Sequence, residues 1–554
     1  LLNIYIRDCV YSRILCAHYR LEQIEPFLEV PLDGIVGAAL VVAAACGGES
    51  GAEKTVVIAA GGDGDILFPL LWSEGQARVY TELMFDKLAD IGEAQNTVGD
   101  AGYVPRMATG WTWSADSLAI TFALDPRGRW HDGVPVRAED VRFAYKLYVD
   151  PASHSGAGRD LAALTDSVTA DDSLTVTVWY KARTPEQFHS VVYNLAALPE
   201  HLLATVPRDS LRESEFARHP VGNGPFKFTS WDKGVRLELA AFDDFPRGRP
   251  KIDRVVFSIF GDPAAAARAV FAGDADFVEM VSFDDLGEAA RHPNIRLITV
   301  RGYDYGFLEF NLHTSDGRRP HPVLADRVVR RALTMAVDRV ALVKNVHDSL
   351  GRPALGPFSR SQWTADTTLQ QLPSDPAAAE SELDAAGWRR GSDGIRVRNG
   401  QRLEFEVLTT PSRTRVRYAE LIQQALALIG VAVTINPVDG GAFRDGLTSH
   451  KFDAVLFSWR STPSPSGARQ TWGSKSFAPG SPFNAGGYSN PIFDAEVDSA
   501  LADLNPATAR AHFRVAYQAA VDDPPAIWLY DPLNTAAASG RLVTGVFQPD
   551  AWWQ

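Results

Sequence analysis

Trp130-His131-Asp132-Gly133-Val134-Pro135-Val136-Arg137-Ala138-Glu139-Asp140-Val141 is the stretch on which the reading of this chain turns. Its last residues open a helix, because Val141, Ala144, Tyr145 and Tyr148 fall on one face between Ala138 and Asp150. Pro151 ends that helix. On either side lie runs that alternate apolar with smaller or polar residues: Leu118, Ile120, Phe122 and Leu124 before it, Leu174, Val176, Val178 and Tyr180 after it. Both read as half-buried strands. His131 beside Asp132 suggests a catalytic couple, but neighbours in a turn cannot orient one another as such a pair requires. His131 is read as structural.

Further out the same grammar continues. Thr55 to Ala59 is a short apolar strand, followed by a Gly-Asp turn and a helical stretch around Ala77 to Leu88. Phe226 and Phe228 lead into a turn at Asp232-Lys233-Gly234, and Val235, Leu237 and Leu239 lead out, which predicts a hairpin. Val255 to Phe260 is a strand; Asp262 caps and Pro263 begins a helix that Gly273 closes, and Asp276 to Met280 supplies the next strand. In the second half, Leu403, Phe405 and Val407, then Tyr418, Leu421, Ile422, Ala425 and Ile429, then Val431, Val433 and Ile435 spell a βαβ unit with a parallel pair. Ala454 to Trp459 is a continuous apolar run of the kind central strands show. Trp459 therefore stands where a strand ends, and ligands of open α/β sheets bind beyond strand C-termini. A core Trp is the other reading of that position.

A chain of 554 residues exceeds what one hydrophobic core sustains, so two or three lobes are expected. Apolar residues at 45% and charged residues at 22% describe a folded globular protein. The net charge of −14 argues against nucleic acid as a partner. The cysteines are Cys9, Cys16 and Cys46, leaving no disulfide framework or thiolate metal site in the body of the chain. Cys46 follows a short apolar run, Gly34 to Ala45, too short to span a bilayer and ending in small residues that suit a signal peptidase. A Cys at the first mature position is where lipid is attached, so Cys46 is expected to carry an anchor; a buried strand with a chance Cys is the alternative. Residues 1–33 fit no targeting pattern and the sequence lacks an initiator Met, so 1–45 is read as an upstream segment with a lipoprotein-type signal, left out of the fold, and 46–54 as a tether.

The usual anchors of catalysis are missing: no Gly-x-Ser-x-Gly elbow, no His-Glu-x-x-His, no phosphate loop and no dinucleotide fingerprint. Histidines are scattered singly, so no metal site built from sequence neighbours is indicated. The chain is expected to be a binding protein rather than an enzyme, with no cofactor and no metal.

Several segments together resemble the extracellular solute-binding proteins of family 5, which serve oligopeptide, dipeptide and nickel importers of the ABC type. The stretch Trp130 to Val141 is similar to the family signature in which a strand leads through a tight Gly turn into a helix. Pro220-Val221-Gly222-Asn223-Gly224-Pro225-Phe226 is similar to a segment that crosses between lobes, with Asn223 in place of the usual Thr. Phe307 to Asn311, Arg331-Ala332-Leu333 through Arg339, Gly430-Val431, Phe452-Asp453-Ala454, Asn484 to Pro491 and Pro525 to Tyr530 follow in the family's order, from about residue 55 to the C-terminus.

The resemblance implies an α/β, two-lobed periplasmic-binding-protein fold of class II, a flytrap with an extra small domain in the first lobe. Lobe 1 is expected to comprise residues 55–92, the small domain 93–219, residues 220–303 and the C-terminal 531–554; lobe 2 is expected to span 304–530. A small peptide-like ligand would bind between the lobes and be delivered to an ABC permease complex by a monomeric protein, lipid-anchored on the outer face of the cell membrane, periplasmic in a Gram-negative cell. A sugar, opine or metal chelate as cargo, and a sensor role, are the competing readings. The turn Trp72-Ser73-Glu74-Gly75 corresponds to a family loop that offers backbone groups to an extended ligand. Tyr305 and Tyr530 lie in segments that contribute to the cleft, and Trp459 matches a Trp that lines it; core aromatics are the alternative for all three. Peptide binders of the family usually carry Asp three residues after that Trp, to pair with the α-ammonium, and here Thr462 stands there. A charged hydrogen bond contributes about 1.5–3 kcal/mol against about 1 for a neutral one, so a free amino terminus would be held less well. Arg460 adds a cation suited to a carboxylate.

Overall fold

The computed structural model describes residues 4–6, 53–71, 75–314, 317, 319–545 and 547–548. The signal-like run, Cys46 and Trp72-Ser73-Glu74 lie outside the described residues. Of the upstream segment, Ile4–Ile6 is described, and its backbone pairs antiparallel with Leu542–Thr544. That piece is joined to the fold, contrary to the expectation that all of 1–45 stands apart from it.

Strand β1 (Thr55–Ala60) carries apolar side chains on both faces, as a strand covered on both sides must. The chain then forms α1 (Gly75–Met84) and a small four-stranded antiparallel sheet made of β2 (Ala108–Trp113), β3 (Ala119–Leu124), β4 (Thr165–Ala170) and β5 (Thr175–Tyr180), in the order β2-β3-β5-β4. Helix α2 (Ala138–Val149) and α3 (Gln187–Asn194) pack with it. The signature stretch staples this unit to the rest. Trp130 is fully buried and its Nε1 donates to Asp140 Oδ2 at 3.1 Å, while His131 N donates to Gly222 O at 2.8 Å and Gly222 N to His131 Nδ1 at 3.1 Å. Burial pulls the His131 imidazole down to about 4, so it is neutral near pH 7. His131 is thus a packing residue, as its place in a turn predicts. Gly222 has no room for a side chain, since a Cβ there would meet Met84 O at 1.9 Å.

The return to the larger sheet runs through the hairpin β6 (Phe226–Asp232) and β7 (Arg236–Ala241), then β8 (Arg254–Ile259), α4 (Pro263–Ala272) and β9 (Phe277–Val278). Strands β8 and β9 flank β1 and run parallel to it. Helix α4 has the ends its sequence predicts: Asp262 accepts from the amides of Ala264 and Ala265, and Gly273 adopts φ +87°.

Strand β10 (Ile295–Arg301) leads through Gly302 and Tyr303 into β11 (Asp304–Phe310). The second half contributes β12 (Glu404–Thr409), α5 (Arg413–Leu428), β13 (Ala432–Pro437), β14 (Ala454–Arg460), α6 (Gly467–Trp472), α7 (Pro491–Ala502), α8 (Pro506–Asp522) and β15 (Ala526–Ser539). The expected βαβ unit is present: β12 and β13 are parallel and α5 joins them. The ladder reads β13-β12-β14-β11-β15-β9-β1-β8-β7-β6.

Two lobes arise because β15 changes partners along its length. Its residues from Ala526 to Tyr530 pair with β11, whereas Leu533 to Ser539 pair with β10. Lobe 1 has a large core running from Val56 through the small domain to Ala538, and a smaller one under α4 around Ala59, Val270, Phe271 and Val278. Lobe 2 has a core around Leu308, Tyr418, Ile422 and Ile527, another around Phe307, Phe513, Tyr517 and Trp528, and a smaller one around Leu408, Phe443 and Val455. Each fully buried large apolar side chain contributes about 1.5–3 kcal/mol, so these cores hold each lobe together.

Candidate functional site: the cleft between the lobes

The crossing segments define where a solute would enter. Besides strand pairing and a ring contact between Phe283 and His347, several polar side chains join the lobes. Tyr303, at the crossing, donates from its hydroxyl to Gln95 Oε1 at 2.9 Å, and Trp363 of lobe 2 donates from Nε1 to Thr97 Oγ1 at 3.2 Å. Thr97 donates in turn to Glu186 Oε1, and Ser464 of lobe 2 donates to Glu186 Oε2 at 2.7 Å. Burial of the Glu186 carboxylate pushes its pKa up. Near the joint, Arg460 of lobe 2 lies 3.5 Å from Asp304 and 4.0 Å from Glu279 of lobe 1.

Beside these contacts opens a cavity of about 1020 Å³, walled by α3 of the small domain on one side and by α6, α7 and the loop after β14 on the other. Thr462, Ser464 and Ser466 face it from that loop, and Glu186, His189 and Tyr193 from the opposite wall.

The residues singled out from sequence distribute unevenly around this cleft. Trp459 ends β14 as expected; it is half-buried, packed edge-on to Phe457 with centroids 5.0 Å apart and against Phe483 at 5.4 Å. Thr462 is exposed on the cavity wall, its carbonyl accepting from Gln362 Nε2 at 3.1 Å. Gly75 is exposed at the start of α1. Arg460 is 49% exposed but already lies beside two carboxylates, which alters its expected role as a cation waiting for an anionic cargo.

Tyr305 and Tyr530 do not offer the surface expected of them in this conformation. Tyr305 is 1% exposed, its hydroxyl accepting from Trp472 Nε1 at 2.9 Å within the core. Tyr530 is buried between Tyr418 and His347, with ring centroids 4.8 Å from each. Strand alternation sends Tyr305 and Tyr530 to opposite faces of the sheet and into different cores. Trp459 stands opposite Tyr305 in the β11–β14 ladder, while Tyr530 stands opposite Gly306 and covers the other face. Gly306 is required for this, since a Cβ there would lie 2.1 Å from the Tyr530 ring.

Glu186, Thr97, Trp363 and Ser464 were not found by sequence reasoning. Each is ordinary in its local context, and only the docking of the lobes brings them together. A Glu directly before an amphipathic helix, as Glu186 stands before α3, was the one available cue.

A two-lobed α/β fold with a double crossing and a cavity at the seam is compatible with several functions. Comparison with known sequences decides among them. The profile of the bacterial extracellular solute-binding proteins, family 5 Middle, matches residues 102–479. The chain belongs to this family.

Among relatives of this family 5 protein, the oligopeptide-binding protein AppA of Bacillus subtilis is 28% identical over 454 residues, covering 79% of this chain and 81% of the relative. Protein XP55 of Streptomyces lividans is 29% identical over 480 residues, covering 86% and 83%. Of solved structures, AppA from Bacillus subtilis in complex with a nonapeptide superposes with a TM-score of 0.73 at 25% identity, covering 90% of this chain and 97% of that one. NikZ from Campylobacter jejuni in complex with Ni(L-His) has the same TM-score and identity, covering 88% and 94%. Among the described residues no helix is long and apolar enough to cross a membrane.

Proposed function

We propose that this chain is the solute-binding component of an ABC importer, closing its lobes over a peptide or peptide-like solute and presenting it to a membrane permease. The observation that carries this reading is the cavity of about 1020 Å³ at the seam, walled by both lobes and lined mainly by polar side chains. Sites for drug-sized ligands run to roughly 300–1000 Å³, so this volume suits an extended oligomer better than a single sugar or metal chelate. The relation to AppA, solved with a nonapeptide, supports the same cargo. Binding can favour the closed form only through contacts that differ between open and closed, and groups contributed by both lobes meet that condition.

The organisation that accompanies this function places residues 55–92, 220–303 and 531–554 in lobe 1, 93–219 in its small domain and 304–530 in lobe 2. Trp459, Thr462, Arg460 and the turn Trp72-Ser73-Glu74-Gly75 are assigned to the mouth of the cleft, with Tyr305 and Tyr530 as the packed support behind it. Cys46 serves as the lipid anchor and residues 46–54 as the tether, holding a monomer at the outer face of the membrane beside its permease. The protein's role is capture and delivery, with no bond made or broken.

A second reading, a small metal chelate as cargo, is favoured by the likeness to NikZ with Ni(L-His). Thermal-shift screening of the purified protein lacking Cys46 separates the two. A ligand that binds only the folded state raises its stability by RT ln(1 + [L]/Kd). Peptides of three to nine residues should raise the melting temperature while sugars and Ni(L-His) leave it unchanged; the reverse pattern replaces the peptide with the chelate or sugar.

A further inference from the structure

We propose that Glu186 receives a cationic group of the cargo, an ammonium or a guanidinium, in the groove between α3 and α6–α7; this rests on the peptide cargo proposed above. Three features of the site lead there. First, the carboxylate sits on the wall of the cavity, held in place by a hydroxyl from each lobe, Thr97 on one oxygen and Ser464 on the other. A carboxylate has about four acceptor positions, so two hydroxyl bonds leave it half satisfied. Second, of the described cations Arg469 acts on it only through space, its own guanidinium lying 3.3 Å from Asp498. Arg183 and Lys475 also line the groove, both exposed. Third, the group is only partly exposed, and its desolvation pushes its pKa up and leaves a charge that neutral hydroxyls compensate poorly. An incoming N⁺–H donor supplies the missing opposite charge as well as a hydrogen bond.

The same geometry couples the cation to closure. Ser464 reaches Glu186 from lobe 2, and Trp363 of lobe 2 holds Thr97, so the carboxylate is fixed for its guest only when the lobes are together. A cationic cargo bound here therefore favours the closed form, as a latch made of hydroxyls alone would do less well.

The test uses calorimetry and native mass spectrometry on the full chain with three synthetic tetrapeptide pools. One has free amino termini and no Lys or Arg, one is N-acetylated with a single Lys or Arg, and one is N-acetylated without either. The wild-type protein should prefer the first or second pool over the third by about tenfold, and whichever is preferred identifies the cation as α-ammonium or side chain. Glu186→Gln, which keeps the side-chain shape and one acceptor oxygen, should remove that preference, weakening the preferred pool about tenfold more than the third; Glu186→Asp should retain part of it. Equal weakening of all three pools by Glu186→Gln would make Glu186 a structural latch and overturn the proposal. So would a wild-type protein indifferent to the pools, which leaves the peptide cargo standing. Failure of every pool to bind removes the peptide cargo itself.

Discussion

Gly302 lies so close to Asn534 that a Cβ on the glycine would stand 2.4 Å from the Asn534 side-chain nitrogen. Gly302 lies in the link between β10 and β11 and Asn534 in β15, the two segments that cross between the lobes, and Asn534 Nδ2 also donates to Asp304 Oδ2 at 3.2 Å. The joint is therefore closely packed at the place where it must bend. Gly302→Ala should displace Asn534 from Asp304, cost about 1–3 kcal/mol, and change the distribution of open and closed forms. Small-angle scattering of the unliganded variant is expected to give a radius of gyration different from wild type, with a lowered melting temperature; identical values would show that the crossing does not bend at Gly302.

Arg460 faces Glu279 across the seam at 4.0 Å and Asp304 on its own lobe at 3.5 Å. Exposed pairs of this kind contribute about 0–1 kcal/mol, too little to hold the fold but enough to bias two lobes that are nearly balanced. At 1 M salt the Debye length is about 3 Å and the pair is screened. High salt should expand wild-type protein in solution scattering, whereas Arg460→Ala should be expanded already and respond little, with an unchanged melting temperature.

Much of the fold was legible because it is written locally. Asp262, Pro263 and Gly273 set the ends of α4 by capping chemistry that needs no distant partner, and the alternation around Leu403 to Ile435 gave the parallel pair. The end of β14 at Trp459 was legible for the same reason. What escaped was set by long-range geometry. Glu186 and Ser464 are 278 residues apart and meet only when the lobes dock. Tyr530 was assigned to the cleft, but the irregularity in the β11–β15 pairing between Gly306 and Phe307 sets its register, and a shift of one residue turns a side chain to the other face.

Glu309 gives the protein an acid-favoured element of stability. Its carboxylate is buried in β11, accepts from Gly486 N at 2.7 Å, and is pushed up to about 7 by burial. The folded chain therefore holds a proton that the unfolded chain has released above about 4.5. Stability from this group is present below pH 4.5 and is lost as pH rises through about 7, on the order of 3 kcal/mol across the window. Glu309→Gln keeps the acceptor for Gly486 and cannot ionise. Denaturant unfolding at pH 5 and pH 8 should show a smaller loss of stability with rising pH in the variant than in wild type; parallel pH profiles would refute the assignment.

Trp459 tests the cleft most directly, because it combines a half-buried ring with a place at the end of a central strand. Phe457 and Phe483 hold its ring from two sides, so its orientation is fixed before any solute arrives, and Arg415 lies over Phe457 at 5.1 Å to brace that wall. A preformed aromatic surface contributes to binding without the cost of ordering a side chain. Trp459→Ala removes it. Full burial of a Trp is worth about 3–5 kcal/mol on truncation, and a half-buried one about half of that, so the variant should remain folded with a modestly lowered melting temperature. The rise in melting temperature that a bound peptide gives the wild-type protein should disappear. Retention of the full rise in the variant would place the solute elsewhere and leave Trp459 as a packing residue of lobe 2.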